Sequence, residues 1–243
     1  MKRIIILLVL CIVLTGCHAV DENDYSTTIY YVPHPDDETL SMGPSILHNV
    51  ELNKEVVVVL LSKGRASKAI GSVNKKLEKE DLPPITLEEF GEARVAEFTK
   101  AVAALGVEKE NVYIYDIEDG DFSAEEVAPI IQDFEKQYPE ALHNVMSYND
   151  PHDDHSSTGK ALRELMDARE VRYGLYHIPV QRHKKMLYKG SYAVPSSLID
   201  DYKVALEAYG KWEPEEGSYS IGQSSVRKYF DRAIDVMESR WHQ

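Results

Sequence analysis

Cysteine is nearly absent from this chain. Its 243 residues include two, Cys11 and Cys17, and no thiol follows them. A disulfide framework, a Cys-ligated metal and a cysteine nucleophile are thereby excluded from the body of the protein. Whatever chemistry it carries uses oxygen and nitrogen ligands. Positive charge is also short: 27 Lys and Arg stand against 41 Asp and Glu, a formal net charge of −14. An acidic surface of that size argues against nucleic acid or anionic lipid headgroups as the main partner, and it is compatible with a neutral sugar or an amino sugar. Long apolar runs are missing too. The longest, Ile4 to Leu14, is too short to span a bilayer comfortably.

That run sits between Lys2-Arg3 and Leu14-Thr15-Gly16-Cys17, a basic start, an apolar stretch and an ending that looks like a bacterial lipobox. Residues 1–16 are therefore expected to be a lipoprotein signal peptide, cut before a lipidated Cys17. Cys11 would leave with it, and loss of Lys2 and Arg3 takes the charge from −14 to −16. The polar segment after Cys17, with Asp21, Glu22 and Asp24, reads as a tether over 17–26. The expectation is an extracytoplasmic protein held at the bacterial cell membrane by its lipid anchor only. Residues 27–243 are long enough for one folded domain with a substantial core.

Within that domain, β-rich runs alternate with helical patterns. Thr28 to Val32 is a short strand, Thr39 to Asn49 a helix, and Glu55 to Ser62 a nearly continuous Val and Leu run that suits a strand buried on both faces. Lys63 to Pro84 reads as a long irregular loop. Thr86-Leu87-Glu88-Glu89 is a capping box, opening a helix that stops at Gly106. A strand over Val112 to Tyr115, a helix over Ala124 to Gln137 and a strand over Val145 to Tyr148 follow. Ser156 or Ser157 is expected to cap the next helix, and Tyr173 to Ile178 is the last clear strand. This order predicts an α/β fold, a three-layer, Rossmann-like, mainly parallel sheet with helices on both faces. Ligands of such sheets bind outside the carboxyl ends of the strands.

Two short runs stand at such ends: Pro33-His34-Pro35-Asp36-Asp37-Glu38 and His152-Asp153-Asp154-His155. A catalytic zinc takes three ligands from His, Asp or Glu and keeps a fourth position open. His34 and Asp37 lie three apart, so one turn can aim both at one ion, and His152 and His155 repeat the spacing. Pro33 and Pro35 stiffen the backbone around His34. A plain helix start would account for Asp36 and Asp37 as capping residues. It leaves His34 and the whole second run unexplained.

Both runs, with Gly43, the strand up to Leu61, Gly64 and Gly91-Glu92-Ala93-Arg94-Val95-Ala96-Glu97, resemble the PIG-L (LmbE-like) zinc de-N-acetylases. In that family an A-H-P-D-D-E loop and an H-x-D-H loop share the metal; Pro33 stands here where alanine is usual. The resemblance implies His34, Asp37 and His155 as ligands of Zn2+, or of Fe2+ or another divalent cation. It implies Asp36 as the general base, His152, if protonated, as the oxyanion donor, and Asp154 as a partner orienting or charging a histidine. Arg94 resembles a family arginine near the substrate, against the alternative of a solvated Arg94–Glu97 pair.

The resulting expectation is a hydrolase that removes acetyl from an N-acetylated amino sugar of the GlcNAc type by attack of zinc-bound water. Its substrate would be a small molecule or a glycoconjugate bearing that group. Two rivals stand beside it, an amidohydrolase for a non-sugar N-acyl conjugate and a non-catalytic sugar- or metal-binding lipoprotein. Tyr148 is read as a buried strand residue rather than a gate, and Asp150 as a turn residue. His18, His48, His143, His177, His183 and His242 have no matched partners and read as surface or core residues, and Trp212 with the Tyr-rich tail from Tyr188 to Tyr229 reads either as core or as the lining of a sugar cleft.

Overall fold

A computed structural model describes Glu22 and residues 24–243. The expected signal peptide and Cys17 lie outside the described residues. The elements run β1 (Thr27–Val32), α1 (Gly43–Glu51), β2 (Glu55–Leu60), α2 (Ala69–Lys79), α3 (Leu87–Ala104), β3 (Val112–Ile114), α4 (Ala124–Gln137) and β4 (Leu142–Met146). They continue with α5 (Asp153–Asp167), β5 (Tyr173–Ile178), β6 (Gly190–Ala193), α6 (Ile199–Ala208), β7 (Trp212–Glu213), β8 (Ser218–Tyr219), α7 (Ile221–Val236) and β9 (Glu238–His242).

The main sheet has the order β3-β2-β1-β4-β5-β9-β6, and β7 and β8 form a separate ribbon. β1 to β5 pair in parallel, whereas β9 runs antiparallel to both β5 and β6. Alternation along the strands sorts their side chains into two cores. Tyr30, Val32, Val58 and Leu60 pack with Leu47, Phe98, Val102, Leu206 and Phe230 from α1, α3, α6 and α7. Ile29, Tyr31, Val57, Val59 and Leu61 pack with Val127, Ile131 and Phe134 of α4 and with Leu162 and Leu165 of α5. Each such side chain contributes about 1.5–3 kcal/mol when fully buried. The three-layer α/β fold expected from the sequence is therefore the fold observed.

Strand order reverses beside β1. The chain winds outward from β1 to β2 and β3, then returns to place β4 on the other side of β1. The loops leaving β1 and β4 thus diverge over a crevice at the switch point. The two sequence runs lie in these loops.

Local expectations fare unevenly. The capping box is present: Thr86 accepts from the Glu89 N–H, and Glu89 reaches back to Thr86. Lys63–Pro84 is not an irregular loop, because α2 forms within it and buries Ala69, Val73 and Leu77 on one face. α5 starts at Asp153 with His152 at its N-cap, so neither Ser156 nor Ser157 caps it. Instead, Ser156 bonds back to the Asp153 carbonyl. Tyr25, inside the stretch read as tether, is 5% exposed and donates to Asn49.

Candidate active site

The loop leaving β1 is stiff and strained. Asp36 has φ of 118°, a conformation that L residues rarely adopt. Its N–H donates to Glu38 Oε2 at 3.0 Å and its carbonyl accepts the Leu40 N–H at 2.9 Å. Glu38 is held in turn by the hydroxyls of Thr39 and Tyr209, each 2.5 Å from Oε1. Burial pushes the Glu38 carboxyl up to about 7, against the pull of those two hydroxyls. Arg94 completes the clamp, donating to the Pro35 carbonyl at 2.6 Å and to Gly64 at 2.8 Å. A Cβ at Gly64 would collide with that guanidinium.

Clamped in this way, the loop aims His34 and Asp37 at one point, where α5 brings His155 to meet them. Asp37 Oδ2 lies 3.2 Å from His34 Nδ1 and 3.1 Å from His155 Nε2. A tetrahedral zinc with bonds of about 2.0–2.1 Å requires ligand atoms about 3.3 Å apart. All three donors fall within 4.8 Å of one another and all three residues are buried. Gly159 lets α5 bring His155 this close, since a Cβ there would strike the backbone of Met146 and Tyr148.

The remaining ring nitrogens are held by carboxylates. His34 Nε2 faces Asp154 at 2.8 Å and Asp119 at 3.0 Å, and His155 Nδ1 faces Asp150 at 3.4 Å. With a cation present, these partners would hold the protons on the far nitrogens and leave His34 Nδ1 and His155 Nε2 to ligate. The carboxylates are anchored as well. Asp154 accepts from the N–H groups of Gly120 and Phe122, Asp119 from Ala66, and Asp150 from His152. The donor set and its support fit a divalent cation. A second grouping, His34, His152 and Asp154, fits less well, because Asp154 already accepts two backbone N–H groups.

Burial alone would lower His34 and His155, yet the surrounding carboxylates raise both, His155 to about 9. Burial alone would raise Asp37, and the His155 and His34 imidazoles overcome it. Asp36 goes the other way. Its burial holds the carboxyl well above the usual range, and Arg94, 3.5 Å away, offsets only part. His152 is exposed, with its ring 4.6 Å from that of His155 and 5.1 Å from that of His34. Burial of its inner edge and the charges of His155 and His34 lower it.

All six residues taken from the two runs converge on one cavity or its floor, of about 520 Å³, with Gln181, Ser225 and Tyr229 on its walls. Arg94 lines it as well, but it is buried, donates to two backbone carbonyls and lies 3.5 Å from the Asp36 carboxylate. The solvated Arg94–Glu97 pair is not formed. Glu97 accepts instead from the N–H groups of Ile221 and Gly222 at the start of α7. Tyr148 packs against Tyr176 and His242, away from the cavity. Asp119 has no place in the sequence expectations, and Asp150, expected as a turn residue and found in a turn closed on the Ser147 carbonyl, also faces His155. Their only local signals are a carboxylate before a positive-φ glycine, Gly120, and one just ahead of the second run.

The family model described as PIG-L, GlcNAc-PI de-N-acetylase, matches residues 29–166, more than half of the chain and both loops of the candidate site. The chain belongs to this family. Curated relatives named 1D-myo-inositol 2-acetamido-2-deoxy-alpha-D-glucopyranoside deacetylase are similar over a shorter stretch. The protein of Mycobacterium sp. (strain KMS) is 39% identical over 75 residues, 31% of this chain and 23% of its own length. That of Mycolicibacterium smegmatis is 36% identical over 74 residues, 30% and 24%. The match thus spans about a quarter of those relatives.

Among solved structures, a deacetylase of the teicoplanin biosynthetic pathway superposes with a TM-score of 0.66 at 17% identity, covering 88% of this chain and 96% of the other. N,N'-diacetylchitobiose deacetylase from Pyrococcus horikoshii gives 0.57 at 18%, covering 90% and 84%. GalB, the 4-carboxy-2-hydroxymuconate hydratase of Pseudomonas putida KT2440, gives 0.61 at 18%, covering 89% and 95%. At such identities these likenesses establish the PIG-L fold and leave the reaction to the site.

Proposed function

We propose that this PIG-L family protein is a divalent-metal-dependent hydrolase that removes acetyl from an N-acetylated amino sugar. The observation that carries the reading is the placement of Asp37 Oδ2 at 3.1 and 3.2 Å from two imidazole nitrogens whose opposite edges face carboxylates. His34, Asp37 and His155 would hold the ion, zinc being the first choice for two imidazoles and one carboxylate, with Fe2+ as its alternative. When bound, such an ion supplies Lewis acidity that lowers the pKa of water and polarises a carbonyl.

The chain's own groups account for the rest. Asp36 touches the cavity with a raised pKa, which makes it a stronger base than an ordinary carboxylate. It takes the proton of the attacking water and returns it to the leaving amine. His152, at the rim, donates its N–H to the oxygen on which negative charge develops. Asp154, Asp119 and Asp150 hold the histidines in their ligating tautomers. Arg94 and Glu38 keep the Asp36 backbone in its strained turn, so the base faces the cavity.

Sugar as the substrate is supported by the names of the curated relatives and of the chitobiose enzyme. The hydratase neighbour supplies the competing reading, since the fold alone serves either reaction. Anchoring through a lipidated Cys17 is supported by the Leu14–Cys17 pattern. The test is acetate release by the zinc-loaded protein from a panel of N-acetylated sugars, with ester and peptide-like N-acyl compounds alongside. Release from at least one sugar is expected. A fully loaded protein that turns over only the non-sugar compounds, or nothing, refutes the assignment.

A further inference from the structure

The acidic character of the chain has one gap. From Val171 to Ile199 there is no Asp or Glu, while Arg172, Arg182, Lys184, Lys185 and Lys189 all fall there. Four of the five lie within residues 182–189, the loop between β5 and β6. Lys184 and Lys185 are exposed and pair with no carboxylate among the described residues, and Lys189 Nζ reaches only the Gln243 amide at 3.4 Å. Outside the loop, several cations do find acids: Lys63, Arg65, Lys136, Arg172 and Lys203 are each paired with one. The same loop carries the most exposed large apolar side chain described, Leu187 at 93%, followed by Tyr188 at 49%. Unpaired lysines around an apolar tip are the composition of an interfacial lipid contact.

Its position adds direction. The loop begins just past Gln181, on the cavity wall, and ends in β6, whose Tyr192 shares a small apolar cluster with Trp241 and Tyr25. Tyr25 is where the chain enters the fold, and the stretch from Cys17 to Tyr25 can reach at most about 28 Å. A protein held at Cys17 would therefore keep this edge close to the bilayer.

We propose that loop 182–189 docks on an anionic phospholipid bilayer. Leu187 and Tyr188 enter the headgroup region while Lys184, Lys185 and Lys189 lie against lipid phosphates. The net charge of the whole molecule speaks against such a partner, but fields at physiological ionic strength fade within about 8 Å. A surface touched through this loop meets the local charge, which is positive. Docking would set the cavity rim beside the membrane; that consequence rests on the hydrolase reading, whereas the docking itself does not.

The test uses the chain from His18 to Gln243, which contains every element of the described fold and lacks the cysteine that would be acylated. It is co-sedimented with vesicles of phosphatidylglycerol and phosphatidylcholine in equal parts, and with vesicles of phosphatidylcholine alone. Binding about tenfold stronger to the anionic vesicles is expected, falling with salt. The triple variant Lys184→Gln, Lys185→Gln, Lys189→Gln should lose that preference, and Leu187→Ser should weaken binding to the anionic vesicles. In a separate sample, Leu187→Trp should shift its emission to the blue on anionic vesicles only. Equal binding to both vesicles, no binding, full binding by the lysine variant, or an unshifted tryptophan each overturns the proposal. Membrane partition of the full chain against Cys17→Ala reads the anchor independently, and acetate release reads the hydrolase.

Discussion

Two groups of buried histidines lie at different places in this sheet, and they titrate in opposite directions. At the switch point, His34 and His155 are surrounded by Asp37, Asp119, Asp150 and Asp154, and both are raised despite burial. Where β9 pairs with β5, His177 and the nearby His183 are lowered to about 3 and about 4, burial being the main cause and positive neighbours adding to it. His177 Nε2 has one neutral partner, the Asn144 carbonyl oxygen at 3.0 Å, and its Nδ1 has none. Burial is common to both groups, so it does not distinguish a ligand from a core residue. The number of carboxylates within hydrogen-bonding reach does. The first group is a set of carboxylates around two imidazoles, a donor set that fits a divalent cation; the second is neutral packing.

The contrast can be broken most sharply at Asp36, the acid beside the first group whose ion-pair partner is Arg94 rather than a histidine. Asp36→Asn should reduce turnover by about 10²–10⁴-fold while leaving zinc content unchanged by metal analysis. Wild-type turnover in that variant would remove the base from the scheme. The second group should show itself in acid. His177 binds its proton near 6.5 when unfolded and near 3 when folded, so below pH 6.5 the unfolded chain takes up a proton that the folded chain refuses. Stability from this residue is present above pH 6.5 and is lost as pH falls, by roughly 3 kcal/mol on reaching pH 4. His177→Gln, which keeps a donor for Asn144, should flatten that part of the curve in urea titrations at several pH values.

Smaller effects sharpen the picture. Asp154→Asn should weaken zinc binding by about 10–100-fold in a calorimetric titration. Asp150→Asn should fall at the lower end of that range, because the Asp150–His155 contact is the longer one. Thr86→Ala, remote from both groups, should cost about 1 kcal/mol of stability through its lost cap and change metal affinity not at all.

Sequence periodicity revealed the elements whose signals are local. The Val and Leu run of β2, the Thr86 capping box and the two motif loops all stand where the residues place them. Contributions that depend on distant pairing stayed hidden. β6 is the edge strand, paired only to β9, and β9 lies between it and β5, with no alternating run to mark either. α2 was masked by its high charge, although Ala69, Val73 and Leu77 keep helical spacing. Asp119 and Asp150 gain their roles only when three loops meet at His34 and His155. Arg94 was located correctly on its helix, but its burial against two carbonyls depends on Gly64 and Pro35, which no helix pattern contains.

The hydroxyl of Tyr209 belongs to the end of α6, well past residue 166, where the family match stops. Through Glu38 it reaches the backbone of the residue that would deprotonate water. The matched segment is therefore not a portable catalytic cassette. A chimera that grafts residues 29–166 onto another member's C-terminal helices must bring along a phenol at this spot, or the grafted turn will relax and its carboxylate will swing out of line.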